Sequence, residues 1–413
     1  MKTIARLTGL LALVALTAFA QDGGTPSCDT VTTGTAIYVG GSTALQPFVK
    51  AVGPALAAQA TPYTLFYSGP GSCVGVNNVL DPVANPLAAG AQFTYYTTTA
   101  DGGVAANPCT LPASQGKLDL AISDVFVETC SSAARPASIG DFVGPAQSMV
   151  FAVPNGSTQT AITAEEAYIV FGFGGVNQLA PPWTNPSDTT RAIRSASSGT
   201  QLILSGAIGV PAAKWKGTNS GSAGGVFNAL TASTSPEATI GIIGLDYLDQ
   251  NDTDGTPRRS KVKMLAFAAK GQTYAYYPDS THNAYDKRNL RDGHYEGLGY
   301  AHLIAPVDSS GVPTQSKVKF VVDLLTGQPV TPAPAFDVAK VIVQNAHLVP
   351  QCAMAVQRTA EGGDLKPFKP AESCACYFES LVGTPPASCV TCTAGSNTCA
   401  SGTTCRNGFC EAN

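Results

Sequence analysis

Four short segments between residues 40 and 200 carry the side chains needed to take water away from a tetrahedral oxyanion. They are Gly40-Gly41-Ser42-Thr43, Gly71-Ser72, Ser123-Asp124, and Arg194 with Ser198-Gly199-Thr200. Thr43, Ser72, Ser198 and Thr200 offer neutral hydroxyls, while Ala44 and Gly199 offer backbone amides. Arg194 adds a planar, permanently charged donor suited to bidentate oxyanion contact. Asp124 is the unusual member, because an ionised carboxylate beside an anion is repulsive unless the anion gives it a proton. Phosphate near neutral pH carries such a proton and sulfate does not, so one acid selects by rejection. A carboxylate facing an unprotonated oxygen would leave a buried charge uncompensated, at a cost of several kcal/mol.

Each segment is weak by itself. A Gly-Ser-Thr turn is commonly only a turn, Ser-Asp at a strand end is commonly a helix cap, and a lone arginine is commonly on the surface. The reading rests on all four following apolar strands in one chain. Ala36-Ile37-Tyr38-Val39 is a short β-type run before the first turn, and Leu45–Ala60 has apolar residues at helical spacing. Thr64–Tyr67 and Leu118–Ile122 are further strands, each ending at one of the segments. Alternating strands and helices predict an α/β sheet. In such sheets ligands bind at the carboxyl ends of strands, where helix N-termini expose free N–H groups.

The apolar run Ser148–Val153 predicts a strand crossing to a second lobe. That lobe is expected to hold a helix over Ala164–Phe171, a strand at Ala192-Ile193, the helix after Gly199, and the run Ile240–Leu248. The acidic turn Asp249–Gly255 is expected to be solvated, with Lys261–Phe267 returning as a strand to the first lobe. The predicted organisation is lobe 1 over 35–152 and 258–345, lobe 2 over 153–257, and a Cys-rich tail over 346–413.

Lys2, Arg6, an apolar run and Ala18-Phe19-Ala20 read as a secretory leader over residues 1–20, followed by a polar linker over 21–34. No cysteine sits at the cleavage point, which argues against a lipid anchor. No later run is long and apolar enough to span a bilayer. With 413 residues the chain is too long for one ordinary core. Charged residues make up 13% and the net charge is −4, which argues against nucleic acid or an anionic membrane as partner. Twelve cysteines in an exported chain argue for disulfides. Cys73 directly follows Ser72, so its partner would stiffen that loop. Cys389-x-x-Cys392 leaves zinc as a competing reading for the tail, weakened by the lack of a second CxxC or a histidine pair.

With these segments in place the chain resembles the periplasmic phosphate-binding proteins of ABC-type phosphate importers. The resemblance covers roughly residues 35–330 in unbroken order. YVGGSTALQPF is similar to the family's opening Gly-Ser-Thr helix start, YSGPGSCVGV to its Gly-Ser-Ser loop, and DLAISDVF to its Ser-Asp turn. IVFGFGGVNQLAPPW is similar to its helix-to-Trp segment, AIRSASSGTQLIL to its Arg followed by Ser-Gly-Thr, and IGIIGLDYL to the strand closing its second lobe. The resemblance implies an α/β, two-lobed periplasmic substrate-binding (type II) fold. It places Thr43, Ala44, Ser72, Asp124, Arg194, Ser198, Gly199 and Thr200 on phosphate-contacting positions. It further implies inorganic phosphate as ligand, an ABC transporter membrane complex as partner, a monomer in the periplasm or at the cell surface, no cofactor and no catalysis. Cys73 stands where a small Ser or Gly is usual, and Ala196 where some members place an Asp beside the arginine. The tail has no counterpart in the resemblance.

Other chemistries fit less well. Gly69–Gly75 lacks the dinucleotide-loop spacing, and no phosphate-loop lysine or G-x-S-x-G elbow occurs. His282, His294, His302 and His347 have no metal-binding spacing, and Asp249–Gly255 lacks the closing Glu of a calcium loop. Three rival readings remain: a secreted phosphate-handling enzyme on the same scaffold, a cell-surface or matrix protein anchored by its Cys-rich tail, and a receptor for another tetrahedral anion, for which Asp124 decides.

Overall fold

The computed structural model describes residues 24–131, 133–175, 180–183, 190–395 and 399–413. The expected leader lies outside the described residues. The expected linker is pinned rather than loose: Cys28–Val31 forms one helical turn, and Cys28 is fully buried and disulfide-bonded to Cys109. Composition alone understated the effect of that cysteine.

The first lobe begins β1 (Thr35–Gly41), α1 (Gln46–Ala57), β2 (Tyr63–Ser68), α2 (Ser72–Leu80), β3 (Gln92–Thr98), β4 (Val104–Thr110), β5 (Leu120–Ser123) and α3 (Val127–Cys130). β1 pairs in parallel with β2, from Thr35↔Tyr63 to Gly40↔Ser68, and with β5, from Val39↔Leu120 to Gly41↔Ile122. Their carboxyl ends therefore share one edge. Both faces of this sheet are covered, which explains the unbroken apolar runs. Ile37 and Val39 face Phe48, Val49 and Val52 of α1, while Tyr38 faces Phe66 and Val76 on the other side. α1 starts later than expected because Ser42 Oγ accepts the amides of Ala44 and Leu45, holding Thr43 and Ala44 in the turn ahead of it.

β6 (Ile139–Pro154) joins the lobes, and the second lobe follows with β7 (Ala161–Thr163), α4 (Ala164–Tyr168), β8 (Thr190–Ile193), α5 (Gly199–Ile208), β9 (Thr218–Asn219), α6 (Ala223–Thr231), β10 (Thr239–Gly244) and α7 (Leu245–Leu248). Next come β11 (Val262–Met264), β12 (Ala266–Ala268), α8 (Arg288–Arg291), β13 (Leu298–Pro306) and α9 (Ser316–Leu325). The strand order is β4-β3-β2-β1-β5-β13-β6-β10-β8-β9, with β11 also on β6. β6 pairs with β13 over Ile139–Ser148, then with β10 over Met149–Ala152. The crossing therefore falls at Ser148-Met149. In the second lobe β10 runs parallel to β8, and Phe151, Phe171, Leu204, Val226 and Ile242 share its core.

The chain does not re-enter the first lobe at Lys261. β11 lies antiparallel on Ala152–Pro154 of β6, and Phe267 and Tyr295 belong to the second core, so the return is β13. An apolar run reports burial, not which sheet edge receives it. The turn after Asp249 is not simply solvated either. The Asp249 side chain is buried between Arg259 and Lys287, and Lys261 bridges Asp252 and Asp254.

The tail is not separate from residue 346. Val349 exchanges both backbone hydrogen bonds with Ala146 of β6, and Cys374 and Phe378 are buried in the second core. Every cysteine is paired: Cys73–Cys130, Cys352–Cys374, Cys376–Cys389, Cys392–Cys405 and Cys399–Cys410 join Cys28–Cys109. The sulfurs of Cys392, Cys399 and Cys410 lie near one another, but each is held in a disulfide rather than offered to a metal.

Candidate anion-binding cleft

The parallel register of β1, β2 and β5 brings three of the four segments together without further help. Ser72 opens α2, and its hydroxyl donates to Asp124 Oδ2 at 3.1 Å and accepts the Asp124 amide at 3.2 Å. Ser42 donates to the same oxygen at 2.5 Å, and Gln147 of β6 donates to Oδ1 at 2.6 Å. Three of about four lone-pair positions on the carboxylate are thereby occupied by neutral donors. Asp124 is 1% exposed. Burial pushes its carboxyl up from the ordinary range, while the bonds from Ser42, Gln147 and Ser72 and the charge of Arg194 pull it down.

The fourth segment arrives from the second lobe. Arg194 follows β8 directly, and its amide donates to Gln201 Oε1 at 3.0 Å, while Gln201 donates to the Ala212 carbonyl at 2.8 Å. The backbone is thus tied to α5 and the guanidinium is sent across the cleft, where Nη2 donates to Thr43 Oγ1. Arg194 is 2% exposed, yet Nε and Nη1 find no acceptor among the described residues. Burial lowers its pKa, opposed by the charges of Asp124 and Asp246. A dry guanidinium lacking an ion pair is costly unless an anion completes it.

Ser198 precedes α5 without bonding its own helix amides, and Thr200 Oγ1 is buried without a partner among the described residues. The first amides of α5 have no carbonyl one turn back to receive them. Gly199 allows the lobes to meet: a Cβ there would lie 2.1 Å from Asp124 Oδ2. A Cβ on Gly71 would lie 3.6 Å from the Ser197 carbonyl oxygen. The lobes are therefore apposed over one point, and Thr43, Ser72, Asp124, Arg194 and Gly199 converge there. Ala44 departs from expectation, since its amide is taken by Ser42 Oγ at 3.0 Å.

The architecture can be compared with known proteins on this basis. No family model matches the chain, and no curated protein sequence does. Among solved structures, a phosphate ABC transporter substrate-binding protein from Clostridium perfringens, with phosphate bound, has 11% identity and a TM-score of 0.50. The match covers 76% of this chain and 99% of that one. The fold is that of a two-lobed substrate-binding protein. An ABC-type phosphate transport receptor from Vibrio cholerae is 15% identical over 76% of this chain and 99% of that one, with a TM-score of 0.45. A phosphate-binding protein from Stenotrophomonas maltophilia is 14% identical over 76% and 90%, with a TM-score of 0.44.

In this two-lobed frame, four cleft residues escaped the sequence-based contact set. Ser42 was visible in its segment but reads as a turn residue. Gln147 and Ser148 are the two polar residues in the run Phe142–Pro154 of β6, at its crossing point, and that break in pattern was the available signal. Asp246 stands just after β10, buried and with Oδ1 lacking a partner among the described residues. Nothing in its local sequence distinguishes it from a first-turn helix acid.

Proposed function

We propose that the cleft captures inorganic phosphate between the two lobes and that the chain serves as the exported receptor of an ABC-type phosphate importer. The observation that carries the reading is the buried Arg194, whose Nε and Nη1 lack acceptors among the described residues, facing a buried Asp124 contributed by the other lobe. The cation attracts the anion, and the remaining lone pair of Asp124 accepts the phosphate hydroxyl. Thr43, Ser198 and Thr200 then contribute hydroxyls and Gly199 its amide, while Ser72, whose hydroxyl is already donated to Asp124, holds that acid in place instead of contacting the ligand. Ala44 acts through Ser42, which orients both the turn and Asp124. The bound phosphate in the Clostridium perfringens structure of the same fold supports the ligand.

Contact with both lobes favours the closed arrangement, and a closed receptor is what a membrane partner would recognise. No bond is made or broken in this scheme, so the protein acts as a binding protein and not an enzyme. Six disulfides support an oxidising compartment outside the cytosol, in the periplasm or at the cell surface. Among the described residues no helix is long and apolar enough to cross a membrane. Titration calorimetry with phosphate, arsenate and sulfate tests the reading. Phosphate and arsenate are expected to bind and sulfate to give no heat. Equal binding of sulfate, or no binding of phosphate, would overturn it.

A further inference from the structure

We infer that Asp246 is a second carboxyl group of the same cleft, acting as a neutral acid that donates its hydrogen to a bound phosphate oxygen. This rests on the phosphate reading above. Gly241 of β10 pairs in parallel with Ala192 of β8, so Asp246 and Arg194 leave neighbouring strands at one edge. On its other side Gly244 of β10 pairs with Met149 of β6, next to Ser148 and to the Gln147 that holds Asp124. Asp246 is 3% exposed, and its Oδ1 has no donor among the described residues. A Cβ on Gly244 would lie 2.4 Å from that oxygen, so the carboxyl folds back over the strand end.

The surrounding charges leave Asp246 no dedicated cation. Asp124 and Asp249 repel its ionised form, while Arg194 attracts it and is shared with the cleft. From the packed segment Arg258–Ser260, Arg258 binds the Tyr247 carbonyl and Arg259 is held by Asp249 and Asp279. Burial, helped by Asp124 and Asp249 and opposed by the backbone amides of Tyr247 and Asp246 itself, pushes the carboxyl up to about 8. Two ionised carboxylates and a phosphate around one guanidinium would leave the cleft strongly negative. A neutral Asp246 instead supplies one more donor opposite the acceptor Asp124, so one acid takes the phosphate hydrogen bond and the other gives one.

Calorimetry with inorganic phosphate from pH 6.5 to 9.5, on the full chain and on Asp246→Asn, tests this. Between pH 8 and 9.5 the unaltered protein is expected to lose about tenfold more affinity than the variant, because only it must retain a titrating proton. Asp246→Leu, which removes the donor while keeping bulk, is expected to bind at least about tenfold more weakly at pH 7. Parallel pH profiles, or Asp246→Leu binding as tightly as the unaltered protein, would overturn the role of Asp246 and leave the phosphate reading standing. Absence of phosphate binding at every pH would remove both. Should Asp246→Asn melt below the working temperature, Asp246→Ser supplies the same comparison.

Discussion

At the scale of single residues the proposed phosphate capture divides its work between one cation and one acid. On that proposal Arg194 supplies affinity and Asp124 discrimination, and the two can be separated by substitution. Arg194→Ala is expected to weaken phosphate binding by about 2–5 kcal/mol, the usual cost of deleting one member of a buried charge pair. Affinity within threefold of the unaltered protein, read by calorimetry, would mean the guanidinium points elsewhere when ligand is bound. Asp124→Asn keeps the shape but places an amide where an acceptor stood. Its Ser42 and Gln147 partners then face a group that can also donate. Sulfate binding should appear in this variant, and competition between sulfate and phosphate measures it. Selectivity identical to that of the unaltered protein would contradict the acceptor role. Residue types made Arg194 and Asp124 legible in the sequence, since a guanidinium and an acid after apolar strands have few neutral explanations together. Asp246 was not legible, because its place in the cleft depends on how β6 and β10 cross and nothing in its local sequence carries that, while Gln147 showed only as a polar break in an apolar run.

At the scale of elements, the site depends on strand ends and helix starts being held in register. The parallel β1–β2–β5 set was legible from its apolar runs and Gly-Ser turns. The edge position of β11 was not, since an apolar run looks alike wherever it is buried. The disulfide Cys73–Cys130 ties the start of α2 to the end of α3, clamping the loops that carry Ser72 and Asp124. Its closed loop is long, with a sequence separation of 57, so chain-entropy reasoning assigns it about 4 kcal/mol. The double substitution Cys73→Ala with Cys130→Ala should therefore melt several degrees lower and bind phosphate more weakly. A lower melting temperature with unaltered affinity would show that the clamp serves stability alone. α5 is tested differently. Gly199→Ala places a methyl into the space of Asp124 Oδ2 only when the lobes meet. The variant should fold with an unchanged melting temperature in the absence of phosphate, yet bind at least about tenfold more weakly. Normal affinity would mean the lobes can meet with more room than the present contact allows.

At the scale of the whole molecule, the tail divides into a part that builds the lobes and a part that is added to them. Phe378 and Cys374 lie in the second core, so a cut at residue 374 would destroy the fold and could not report on anchoring. Residues 383–413 are different: they are held together by Cys392–Cys405 and Cys399–Cys410 and tied back by Cys376–Cys389. Their main polar hold on the body is the buried Glu411, which accepts the Tyr377 amide at 2.8 Å and the Ser373 hydroxyl at 3.1 Å. Removing residues 383–413 together with Cys376→Ser deletes both bonds at the start of the helix Ala375–Val382. Since a hydrogen bond to a charged group contributes about 1.5–3 kcal/mol, the shortened chain should melt lower but still cooperatively. The cleft contacts described above all come from residues before 383, so phosphate should still raise the melting temperature. At a phosphate concentration 100 times the dissociation constant the added stability is about 2.7 kcal/mol. A shortened chain that folds yet gains nothing from phosphate would place the Cys-rich module inside the binding function. If phosphate stabilises it as it does the full chain, the module is a separate device, and retention of the two forms at the cell surface then measures whether that device is an anchor.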